Sequence, residues 1–145
     1  MAIPPPRNGA VIRYAYLWKE EQQRGLTEGS KDRPAAVMLS HTEEATGEII
    51  VFVLPITHSN PLNLSEALEI PADVKASLGL DGAKSWIICS ETNRFRWPGF
   101  DLRPIPGRRQ TSWEYGMLPH GLYEQAKALF LNCRKNGKAR TSDRD

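Results

Sequence analysis

Apolar and polar positions alternate along this chain in short blocks, and most of the apolar blocks have the length of a β-strand. Residues 10–17 are rich in β-branched and aromatic side chains and begin just after Gly9, so they predict an opening strand. Residues 18–32 are polar, carry Gly25 and Gly29, and read as a long loop. Residues 34–39 predict a buried strand, and 41–47 a polar turn. Residues 49–56 form the most apolar run, which predicts a central strand. Pro55 donates no backbone hydrogen bond, so the sheet should end or bulge there. Further short strands are predicted over 67–70, 85–89 and 92–97. A short helix is predicted over 71–78, with Pro71 in its first turn and Gly79 as its stop. Leu122, Ala126, Leu129, Phe130 and Cys133 recur at helical spacing behind Pro119, which predicts a C-terminal helix ending near Gly137. The pattern divides into an N-terminal tail, 1–8, one domain, 9–135, and a basic disordered tail, 136–145. Many short strands with two helices give a mainly β fold, a twisted sheet or small barrel packed by helices.

Composition narrows the class without choosing a function. The chain has 145 residues, 40% of them hydrophobic and 25% charged, which suits one folded domain. No apolar run approaches the roughly 20 residues of a membrane span, and the N-terminus lacks the apolar core of a secretory signal. A cytoplasmic protein with no membrane partner is expected. Cys89 and Cys133 each sit among apolar neighbours, outside any C-x-x-C pair, and read as core residues. His41, His58 and His120 are scattered, so neither a metal site built from local ligands nor a cofactor is expected.

A net charge of +2 does not announce nucleic-acid binding, but its distribution is informative. Arg94 and Arg96 interleave with Phe95 and Trp97, and further cations cluster at Arg103, at Arg108 and Arg109, and between Arg134 and Arg140. Cations that track phosphates beside rings that stack on bases suit an RNA surface. The competing reading is a solvated face of snorkelling side chains.

Short pieces in a fixed order carry the sharper signal. The strand after Gly9 comes first. Glu28 then precedes Arg33-Pro34 by five residues and runs into the second strand, and the apolar strand ends in Pro55-Ile56-Thr57. A fourth strand, 85–89, is followed by Glu91, Asn93 and Arg94. Gly116-Met117-Leu118-Pro119 leads into the last helix. In this order the pieces resemble the PemK/MazF family of toxins from toxin–antitoxin pairs, over roughly residues 8 to 131. The family's acidic residue after the first glycine is Ala10 here, and 101–114 is Pro- and Arg-rich, unlike its better-known members.

The resemblance implies an SH3-like small barrel of the PemK/CcdB type plus a C-terminal helix, usually as a homodimer. It implies a metal-independent endoribonuclease that cleaves single-stranded RNA and is held in check by a small acidic antitoxin. Arg33 is then the cation on the phosphate, Thr57 a hydroxyl donor to it, and Glu28 the base for the 2′-OH. His58, Ser59, Trp18, Arg94, Arg96 and Trp97 are the candidate substrate-binding residues. Bland readings stand beside these: Arg33 paired with Glu28 or Asp32, Thr57 closing a turn, His58 as a surface histidine, and the aromatics as packing. The alternative function is a non-catalytic barrel that binds a partner, including a gyrase-directed inhibitor.

Overall fold

The computed structural model describes residues 5–25, 32–99, 101–107 and 112–144. Strand β1 (Ala10–Tyr14) is followed by a one-turn helix, α1 (Lys19–Gln23), and by two long strands, β2 (Arg33–Thr42) and β3 (Ile49–Thr57). A 3-10 turn, Leu64–Glu66, leads to β4 (Ala67–Glu69) and α2 (Ala72–Ser77). Next come β5 (Trp86–Ile88), β6 (Glu91–Arg96) and β7 (Glu114–Met117). The chain closes with α3 (His120–Lys135) and β8 (Arg140–Asp143).

The mainly β architecture with a C-terminal helix is as the sequence pattern indicates. Among the described residues the strands pair in the order β4-β5-β3-β2-β1-β7, with β6 on β3 and β8 on β6, a path that does not close into a barrel. All pairings are antiparallel except β6 with β8. The sheet does not end at Pro55. β3 pairs with β6 as far as Val53 and with β5 from Ile56, so the residue without an N–H falls at the hand-over between two partners. On the other edge of β3, Pro55 still faces Ala35.

Strand alternation sends side chains to two cores. Val11, Ala36, Met38, Leu54 and Ile56 pack under the helices with Val74 from α2, Leu78 just after it, and Tyr123, Ala126 and Phe130 from α3. The Tyr123 hydroxyl donates to the Met38 carbonyl at 2.8 Å and ties α3 to the sheet. Phe130 is fully buried, and truncating it to Ala would cost about 3–5 kcal/mol. Ile12, Tyr14, Tyr16, Ala35, Val37, Val51, Val53 and Phe95 fill the opposite face, where Phe95 stacks on Tyr14 at 4.8 Å. Cys89 and Cys133 are both buried and unbridged. Burial, with Cys133 nearby, pushes the Cys89 thiol up to about 12.

The C-terminal residues correct the expectation of a disordered tail. β8 lies parallel to β6 along Glu91–Arg94, and Ser142 is fully buried. Arg144 donates to the Ala15 carbonyl at 2.7 Å and pairs with Asp101 at 3.0 Å, both side chains largely buried. The segment is held by the β6 pairing and by the largely buried Arg144–Asp101 ion pair. No helix among the described residues is long and apolar enough to cross a membrane.

Candidate functional site

The β2–β3 register builds the site. Ala35 faces Pro55, and two residues beyond that pair stand Arg33 on β2 and Thr57 on β3. The period-two alternation puts both side chains on one face. That face opens into a groove of about 790 Å³, lined by Trp18, Arg33, Thr57, His58, Ser59 and Glu91 among others. Arg33, Thr57, Trp18, His58 and Ser59, expected from the sequence to act together, therefore share one groove. Glu28, the expected base, lies outside the described residues.

Arg33 stacks on the Trp18 ring, its guanidinium carbon 5.1 Å from the ring centroid. Trp18 in turn meets Tyr16 edge-on at 5.3 Å. Burial lowers the Arg33 pKa, while the charge of Glu21 holds it up. Asp32 pairs with Arg103 at 3.5 Å and Arg13 at 3.8 Å. Among the described residues no carboxylate forms an ion pair with Arg33, and its Nε is buried with no hydrogen-bond partner. The bland pairing of Arg33 with Asp32 is therefore not made.

Thr57 is buried at the end of β3, and its Oγ1 accepts the Ser59 amide at 3.1 Å. That bond closes the local turn and leaves the hydroxyl proton to donate. His58 lines the groove, but both its ring nitrogens are engaged elsewhere. Nε2 is 2.8 Å from Asp81, and Nδ1 is 3.0 Å from Ser85 Oγ and 3.2 Å from the Lys84 carbonyl.

The structure separates Arg94, Arg96 and Trp97 from this groove. Arg94 pairs with Asp143 at 3.1 Å and Arg96 with Glu48 at 3.4 Å. Trp97 lines a second, smaller groove. The alternation along β6 explains the separation of the two arginines, because Phe95 between them is buried in the core and they fall on the opposite face.

Three residues that carry no site role in the sequence reading also line the groove. Glu91 accepts the Lys19 amide at 2.6 Å and lines the groove. Burial raises its carboxyl pKa, opposed by the Lys19 bond and by Arg140. Lys138 and Arg140 reach the groove from the C-terminal segment, where they were read as tail. Only the β6–β8 pairing brings Arg140 to Glu91, and no local sequence signal carries that pairing. The groove is mixed in charge, since Glu20, Asp32, Glu66 and Glu91 line it with Arg33, Lys138 and Arg140. No group of three or more His, Cys, Asp or Glu residues among those described could hold a metal ion.

A scan against protein-family models finds no match to this chain, and a search of curated proteins finds none either.

Proposed function

We propose that this chain is a metal-independent endoribonuclease of the PemK/MazF type, the toxin of a toxin–antitoxin pair. The observation that supports the reading best is Arg33. It is a half-buried cation on a tryptophan face, with no carboxylate paired to it among the described residues, and it shares a groove with the Thr57 hydroxyl. A cation with no carboxylate partner among the described residues suits an anionic ligand.

RNA supplies its own nucleophile. In this reading the 2′-oxygen attacks phosphorus and gives its proton to a carboxylate. Arg33 forks onto the phosphate oxygens as their charge grows, and Thr57 donates to the same group. The bond to the 5′-oxygen breaks as that oxygen takes up a proton, leaving a 2′,3′-cyclic phosphate and a 5′-hydroxyl. Glu28 is the base expected from the resemblance. Glu91 is a second candidate, since it lines the groove and its raised pKa brings it nearer neutrality. Trp18 offers its ring to a base beside the phosphate. The same reading carries an SH3-like barrel, a homodimer in the cytoplasm, and a small acidic antitoxin that covers Arg33, Lys138 and Arg140.

A second reading, a module that binds a protein without cutting RNA, as a gyrase-directed inhibitor would, draws on the mouth of the groove. Leu62 there is fully exposed, Leu64 lies close by in sequence and is also exposed, and four carboxylates line the walls. Incubating a mixed-sequence single-stranded RNA with the protein in EDTA and mapping the ends separates the two. Cleavage with 5′-hydroxyl ends that Arg33→Ala abolishes supports the nuclease. Folded wild type that leaves a broad RNA pool intact supports the binding module.

A further inference from the structure

The second groove, of about 370 Å³, lies away from Arg33 and is built of different chemistry. Its walls are Trp97 and Trp113, whose ring centroids stand 6.4 Å apart at 61°. Its floor is Ala10, Ile12 and Val37, all buried. Pro5, Pro6 and Arg7 line one side, and the Arg7 guanidinium donates to the Glu114 carboxylate at the rim.

These are the parts that recognise a polyproline II helix. Prolines enter such a site already extended, so little backbone entropy is lost on binding, and their rings lie flat on indoles. A carboxylate at the rim reads a cation next to the prolines. The chain's own Pro5, Pro6 and Arg7 line this groove, with Arg7 paired to the rim carboxylate of Glu114. Both tryptophans are only partly buried, beside the open groove.

We propose that the Trp97–Trp113 groove is a docking site for a proline-rich, arginine-bearing segment of a partner protein, and that residues 5–7 occupy part of it in cis. The proposal stands apart from the nuclease reading. Nucleic acid is the less suited occupant, because the paired Arg7 and Glu114 leave the lining residues without net positive charge for phosphate.

The test uses the full chain and a fluorescein-labelled peptide of four prolines followed by arginine, read by fluorescence anisotropy. Saturable binding is expected, tighter in the Pro5→Ser/Pro6→Ser variant, where the cis segment competes less. Trp113→Ala should weaken binding at least about tenfold. Glu114→Lys, a change at the rim that spares the core, should lose the preference for arginine and favour the same peptide ending in glutamate. Two results overturn the proposal: no saturation at millimolar peptide in either wild type or the proline variant, or competition by single-stranded RNA but not by unlabelled peptide.

Discussion

Arg33 and Lys75 are two cations, one half-buried and one almost fully buried, and the protein treats them oppositely. Lys75 is almost fully buried and saturated. Its Nζ donates to Asp81 at 2.9 Å, to Ser85 Oγ at 2.7 Å and to the Ala83 carbonyl. Asp81 and Ser85 each reach on to His58, so four side chains close a ring. Arg33 has a tryptophan face and a buried Nε with no acceptor among the described residues. Lys75 uses its donors within the fold, whereas the buried Nε of Arg33 meets no acceptor among the described residues. If Arg33 binds a phosphate, counting partners separates a structural cation from a functional one, which residue type alone does not do.

The largest expected effect breaks the Arg33 side. If Arg33 holds a phosphate in the transition state, Arg33→Ala should lower RNA cleavage in EDTA about 10²–10³-fold, the loss typical of one preorganised donor. Its unfolding midpoint in urea should barely move, because no ion pair among the described residues is lost. A large loss of stability with cleavage retained would make Arg33 the structural residue of the two.

The register explains why this half of the site was legible in the sequence. Arg33-Pro34 opens β2 and Pro55-Ile56-Thr57 ends β3, and a strand pair with one polar residue at each outer end delivers both to one place. The resemblance named Arg33, Thr57, Trp18, His58 and Ser59, and the strand register brings them to one groove. Local pattern did not suffice for Arg140 and Glu91, which meet only through the parallel pairing of β8 with β6. Charge-rich residues 136–145 resemble a solvated tail in composition, and the ion pair of Arg144 with Asp101 that anchors them spans 43 positions. Long-range partners of this kind leave no periodicity to read. The Lys75 ring was hidden likewise, since its members come from the end of β3, from α2 and from the turn before β5.

The next effect tests the Lys75 side. Lys75→Met should cost about 2–3 kcal/mol in urea unfolding, because the Ala83 carbonyl and Ser85 lose their donor. Asp81→Asn should cost under about 1 kcal/mol, since Asp81 is 58% exposed and screened by water. The hydrogen bond from Lys75 lowers the Asp81 pKa. Its stabilising share is thus fully present above the ordinary value of 3.8 and is lost as pH falls through the lowered one. Wild type and Asp81→Asn should therefore converge in stability in acid and diverge above that range.

Glu91 gives the opposite sign and a smaller effect. Burial raises its pKa above the ordinary 4.5, so the folded protein holds that proton more tightly than the unfolded chain. Below 4.5 the burial penalty is absent, and it is fully felt once pH exceeds the raised folded value. Glu91→Gln keeps an oxygen to accept the Lys19 amide and removes the charge. The variant should match wild type in acid and exceed it in stability near pH 8, as measured by urea midpoints across that range. If Glu91 also takes the 2′-OH proton, the stabilised variant should cleave RNA more slowly.

The smallest effect sharpens what the groove excludes. Arg96 reads as an RNA contact in the sequence because Phe95 and Trp97 flank it, yet it lies outside the groove and pairs with Glu48 at 3.4 Å. Its side chain is 60% exposed, so the pair is worth under about 1 kcal/mol. Arg96→Gln should leave both the urea midpoint and RNA cleavage within about twofold of wild type, since a screened surface charge outside the groove contributes only to long-range attraction. Raising the salt should erase even that difference. A tenfold loss of cleavage in Arg96→Gln, persisting at high salt, would mean that RNA runs along β6 to the Trp97 groove. The division between an anion-binding groove and a proline-binding one would then fall.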